Sequence, residues 1–209
     1  MAITPSPLTI LQAAFPVVGC NPPTSIDDNT DEAKAAKATY EIDAREFLSR
    51  HAWSWATKTA LATYKGERTD QRPRYEYTLP ADVITVRSAQ QGTFPFRDFM
   101  MEDGLLLCDL FDAKNIYVSY SRRVSEIHWP PAFVAAMVDK VASRLASGLL
   151  DRASEGDAYE RRAEKKLLRA KRIDRRQFPG SKVYENTSLQ RRWSGSNDQF
   201  RTGFYGKNS

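Results

Sequence analysis

The chain has 209 residues, 41% of them hydrophobic and 27% charged, which suits one full hydrophobic core. No apolar run approaches the roughly 18 residues needed to cross a bilayer, and the opening Met1-Ala2-Ile3-Thr4-Pro5 has neither a basic nor an apolar leader, so neither a membrane span nor a secretion signal is expected. The formal charge of +5 is unevenly held: residues 151–209 carry 15 Lys/Arg against 8 Asp/Glu and the remainder 16 against 18, so an acidic partner is expected for the C-terminal part.

Ser6-Pro7 reads as a helix start, a hydroxyl cap followed by proline in the first turn. Leu8, Leu11 and Phe15 follow at helical spacing, and Pro16 is expected to kink or end this helix before Gly19. Asn29 is the expected cap of a second helix, with Glu32 completing a capping box. Ala33, Ala36, Tyr40, Ala44, Phe47 and Leu48 recur at steps of three and four, forming one apolar stripe.

From Trp53 the period changes. Residues 53–62 read as extended chain, 74–79 as a strand ended by Pro80, and 83–86 as a short strand. Residues 98–107 read as a hairpin turning at Glu102-Asp103-Gly104, and 115–120 as the last strand. Helix returns at Pro130-Pro131, with Phe133, Met137, Val141, Leu145 and Leu149 near one face; it is expected to be the most buried helix. Ser154 is the expected cap of a fourth helix, striped by Tyr159, Ala163, Leu167, Ala170 and Ile173. After Phe178-Pro179-Gly180 the periodicity stops. Aromatics are then scattered singly among Ser, Asn, Gly and Arg, and tails that are merely disordered usually lack them, so docking on a partner is expected.

The expected fold class is therefore α+β: a four-helix bundle with a small inserted antiparallel sheet and an extended C-terminal tail. Residues 1–52 and 128–178 supply two helices each, 53–127 the sheet and 179–209 the tail.

Chemistry is sparse. Two histidines, His51 and His128, and two cysteines, Cys20 and Cys108, show no metal-ligand spacing, so two thiols and no metal or cofactor are expected. There is no phosphate-cradling glycine loop and no nucleophile elbow, and Asp27-Asp28 and Glu102-Asp103 fall in predicted turns. The chain does not read as an enzyme.

The fourth helix is crowded with cations. Arg161, Lys165, Arg169, Arg172 and Arg176 follow one another at three or four residues, a row on one face. A solvated surface, an acidic protein or DNA would each account for it, although no sequence-specific DNA-binding pattern is present. Arginine outnumbers lysine here and in the tail, which favours bidentate contacts.

This order of elements, with particular residues, resembles the bacteriophage head-to-tail adaptor family, also called tail tubular protein A or head-tail connector proteins. Ala33-Lys34-Ala35-Ala36 running to Phe47-Leu48, then Trp53-Ser54-Trp55-Ala56, resembles the family's helix leading into its sheet through Trp-x-aromatic-Ala. Tyr75-Glu76-Tyr77-Thr78-Leu79-Pro80-Ala81-Asp82 is similar to its Tyr-x-Leu-Pro-x-Asp signature. Leu105-Leu106-Leu107, Val118-Ser119-Tyr120, Trp129-Pro130 to Phe133, and Tyr159 to Ala163 also fit. The first helix departs from the pattern, with Pro16 interrupting it and Gly19-Cys20-Asn21 where the family commonly has Gly and an acidic residue.

The resemblance implies a homo-oligomeric, dodecameric ring on the outer end of the portal protein, in the virion neck, made in the host cytoplasm. The ring would meet an adjacent tail, nozzle or neck protein and continue the DNA channel without sequence specificity. On this basis the portal-gripping residues are expected to be Arg172, Arg175, Arg176, Phe178, Tyr184, Arg191, Arg192, Trp193, Phe200, Arg201, Phe204 and Tyr205. Arg161, Lys165 and Arg169 would face an acidic partner or DNA. The protein is expected to be monomeric before docking. The alternative is a non-specific nucleic-acid-binding protein acting through the basic helix and tail.

Overall fold

A computed structural model describes residues 4–69, 72–92, 94–96, 98–109, 115–148 and 150–177. The chain divides into two compact units, Met1–Asp174 and Arg175–Ser209. Helix α1 spans Pro7–Ala14. It opens on a reciprocal cap in which the Thr9 amide donates to the Ser6 hydroxyl at 3.2 Å and the Ser6 amide to the Thr9 hydroxyl at 2.8 Å. Pro16 turns the chain into a 3-10 segment, Phe15–Val18, closed by Gly19 at φ +82°, a value that glycine reaches without strain. Helix α2 spans Asp31–Ser49 and is capped by the hydroxyl of Thr30, one residue later than expected. Helices α3 (Pro131–Gly148) and α4 (Ala153–Gln177) follow the strands. Ser154 lies inside α4 and not at its cap.

The expected fold class is wrong in its β part. Eight strands form two four-stranded antiparallel sheets, more than a small sheet inserted in a four-helix bundle. They are β1 (Thr57–Leu61), β2 (Thr63–Glu67), β3 (Tyr75–Thr78), β4 (Val83–Gln91), β5 (Phe94–Phe96), β6 (Phe99–Glu102), β7 (Leu105–Cys108) and β8 (Ile116–Arg122). One sheet runs in the order β1-β8-β4-β5, the other β2-β3-β7-β6. The strands β1 and β2 are one run interrupted at Ala62, whose amide donates to the Ile116 carbonyl at 2.8 Å before the chain passes to the second sheet. The periodic signal fails for definite reasons. Strand β2 is almost wholly exposed, so it has no apolar alternation. Strand β5 holds Pro95, which lacks a ladder donor. Register shifts between Val83 and Thr85 and between Val86 and Ser88 break the alternation of β4.

Between the sheets pack Ala62, Tyr77, Ala89, Leu106, Cys108, Ile116, Val118 and Tyr120. The helices enclose a separate core around Phe133, against which Cys20 is partly buried. Phe133 meets Trp129, Trp53, Trp55 and Phe47 edge-on, with centroids at 4.9, 5.1, 5.1 and 6.2 Å. Residues 53–56, expected to be extended, instead form a turn that sends Trp53 and Trp55 into this core; the Ala56 amide donates to the Trp53 carbonyl at 3.1 Å. The two parts are fastened by Arg87 of β4. Its Nη2 donates to the carbonyls of Ser49 (2.6 Å) and His51 (2.9 Å), and its Nε to the Ser121 hydroxyl (2.9 Å). The last carbonyl of α2, Ser49, which no helical amide can reach, is thereby satisfied from the sheet.

Candidate functional site

Helix α4 has a narrow inner stripe of small residues. Gly156, Ala163, Leu167 and Ala170 are buried, and a Cβ on Gly156 would fall 1.8 Å from the Ser147 hydroxyl of α3. The two helices therefore approach closely where α4 begins. Tyr159 adds a hydrogen bond from its hydroxyl to the Val17 carbonyl at 2.9 Å.

Charges on α4 sort by face. From Glu160 onward, every carboxylate of the helix is paired with a residue of another element. Glu160 accepts from Lys140 at 2.6 Å, Glu164 pairs with Arg50, and Asp174 accepts from the Ser54 hydroxyl at 2.6 Å and lies 3.2 Å from His51 Nε2. Two cations are engaged as well. Arg162 reaches the buried Asp139 of α3 at 3.1 Å, and the Lys166 ammonium lies 2.7 Å from the same carboxylate, an ion pair without hydrogen-bond alignment.

What remains outward is cationic. Arg161, Lys165, Arg169 and Arg172 are exposed on one face, with Leu168 52% exposed among them. Among the described residues none of these four forms an ion pair. At 1.5 Å rise per residue the four span about 17 Å. Like charges three and four apart cost an isolated helix roughly 0.2–0.5 kcal/mol per pair. The face is thus slightly unfavourable in the lone chain, and an acidic partner would relieve it.

The structure thus brings Arg161, Lys165, Arg169 and Arg172 together, and Arg175 and Arg176 lie exposed in the last turn of α4. Phe178, Tyr184, Arg191, Arg192, Trp193, Phe200, Arg201, Phe204 and Tyr205 lie outside the described residues. Sequence reasoning missed the anchor formed by Asp174, Ser54 and His51. A signal existed: Asp174 is the single carboxylate in the run 165–176 and falls on the inner stripe, four residues after Ala170.

Other features carry less chemistry. A groove of about 400 Å³ between α2 and α3 is lined by Ala35, Ala36, Thr39, Ser143, Arg144, Leu145, Ser147 and Gly148. Its one ionisable side chain, Arg144, is paired with Asp43 at 2.9 Å. Among the described residues no three His, Cys, Asp or Glu side chains are grouped to hold a metal ion, and no helix is long and apolar enough to cross a membrane. The chain matches no family model and no curated protein.

Proposed function

We propose that this protein is a structural head-to-tail adaptor of a tailed bacteriophage or phage-like particle, forming a ring between portal and tail around the DNA channel. The observation that carries this reading is the sorting of charge on α4. From Glu160 onward its carboxylates are paired with other elements of the fold, while Arg161, Lys165, Arg169 and Arg172 face outward with no ion-pair partner among the described residues. A structural protein that docks on an acidic surface needs such a face on a rigid helix. The sequence resemblance supplies the particular partner, the portal. The exposed Arg172, Arg175 and Arg176, with the tail after them, form the gripping end, and each weak contact would be multiplied around a closed ring.

The test is capture by portal rings from the same genome, comparing the full chain with a version ending at Arg176. Full-length capture and loss on truncation support the assignment. Capture at full strength without the tail overturns the role given to residues 177–209.

A second reading is favoured by the same face: a non-specific nucleic-acid-binding protein that meets phosphates through the arginine row. Binding of that kind weakens steeply with salt, because each phosphate contact releases a counterion. Tight binding of the isolated chain to duplex DNA at moderate salt, with no binding to portal, favours it.

A further inference from the structure

We propose that the middle of the α4 row, Arg161, Lys165 and Arg169, receives the acidic start of α2 from a second copy of this chain. This rests on the ring reading and names the contact between neighbouring subunits.

A row of positive charges repels its own copy, so α4 cannot pair with α4 across a two-fold axis. The counterpart must be a different patch, and a contact between two different patches is the kind that propagates around a ring. The start of α2 is a compact candidate among the described residues. Asp27, Asp28, Asp31 and Glu32 place four carboxylates within six residues at the start of α2. Asp28 is consumed by its own turn, accepting from the Thr24 amide at 2.6 Å. Asp31 and Glu32 form no ion pair among the described residues. Among the described residues Asp27 pairs with Lys37 alone, and their side chains are 75% and 53% exposed, so that bond is weak and exchangeable.

The two patches do not neutralise each other within one molecule. Helix α2 begins at Asp31 and ends beside Arg50, which pairs with Glu164 in the middle of the α4 row. At 1.5 Å per residue its two ends lie about 28 Å apart. Only another copy brings the acidic start against the cationic middle. Leu168, exposed within the row, adds apolar contact area.

The experiment is zero-length carbodiimide crosslinking of an equal mixture of unlabelled and nitrogen-15-labelled full-length chains, over a range of concentrations, with and without portal rings from the same genome. Peptides are then read by mass spectrometry. The expected product joins Lys165 to Asp27, Asp31 or Glu32 with mixed labels, and it is lost at about 1 M salt, where the screening length is about 3 Å. Lys165→Glu with Arg169→Glu abolishes the product, and mixing that variant with Asp31→Lys/Glu32→Lys restores a crosslink between the exchanged positions. Unchanged thermal midpoints show that both variants fold. Lys165 joined to other carboxylates, same-label products only, or no product between copies at any concentration, with or without portal rings, overturns the proposal. Portal capture is scored separately. A reversed variant that still binds portal leaves the adaptor reading standing, and a specific crosslink in a chain that ignores portal leaves the self-contact standing.

Discussion

The Ser54 hydroxyl donates to the Asp174 carboxylate across 2.6 Å, joining residues 120 apart in sequence. The Ser54 amide donates to the same carboxylate at 3.2 Å, and His51 Nε2 lies 3.2 Å from its other oxygen. Asp174 is 6% exposed, so its charge is held almost entirely by these groups. The end of α4 is thereby tied to the turn between α2 and the first strand, and the cationic row is presented on a fixed helix. Asp174→Ala removes the acceptor from all three and is expected to destabilise the protein by about 1–3 kcal/mol. Hydrogen exchange should then quicken in residues 167–174 before the rest of α4. Unchanged protection there would mean that the anchor does not hold the helix.

Neutralising the row should separate stability from binding. Lys165→Gln with Arg169→Gln removes like-charge pairs and is expected to leave the lone chain as stable or up to about 0.5 kcal/mol more stable. Partner capture should fall. Residues whose removal stabilises the fold while weakening binding serve the partner and not the fold. A loss of stability, read from urea midpoints, would mark the row as structural.

The helical core depends on one ring more than any other. Phe133 is fully buried and meets four aromatic rings edge-on, so Phe133→Ala should cost about 3–5 kcal/mol in denaturant unfolding. Phe133→Leu keeps most of the volume and should cost less. A cost near zero for Phe133→Leu would show that the edge-to-face geometry adds nothing.

Alkaline pH should weaken the protein through Tyr40. Its hydroxyl donates to Glu126 at 3.2 Å, and burial first, then the Glu126 charge, hold its pKa well above the ordinary value. Above about pH 10 the unfolded chain releases this proton while the folded state keeps it. The contribution is therefore complete below the unfolded value and is lost as pH rises toward the folded one. Tyr120, raised by burial and by Asp82, acts in the same direction. Tyr40→Phe should flatten the fall in urea midpoint above about pH 10. A slope identical to the unaltered chain would remove Tyr40 from the account.

Much of the helical part is legible in the sequence because its signals are local. Ser6-Pro7 caps α1, and Ala33 to Leu48 repeat at helical steps and are buried as a stripe. The turn at Asp103-Gly104 is legible too, since both residues adopt positive φ, 49° and 75°, as a tight hairpin asks. The division into two sheets was hidden because strand pairing is not local. Strand β2 of one sheet shows no buried alternation, β5 of the other contains a proline, and Trp53 and Trp55 mimic a strand by their spacing while entering the helical core from a turn. In the candidate site the cationic row was plain from its spacing. The inward pairing of Glu160, Glu164 and Asp174 was not, because each partner lies on another element.

A portal-docked ring is open to direct observation by electron microscopy of full-length chain mixed with portal rings from the same genome. The expected result is a stoichiometric cap on one end of the portal, absent when residues 177–209 are removed. Portal rings left bare, with the chain retained on duplex DNA in the same buffer, would contradict it and turn the α4 row into a nucleic-acid contact.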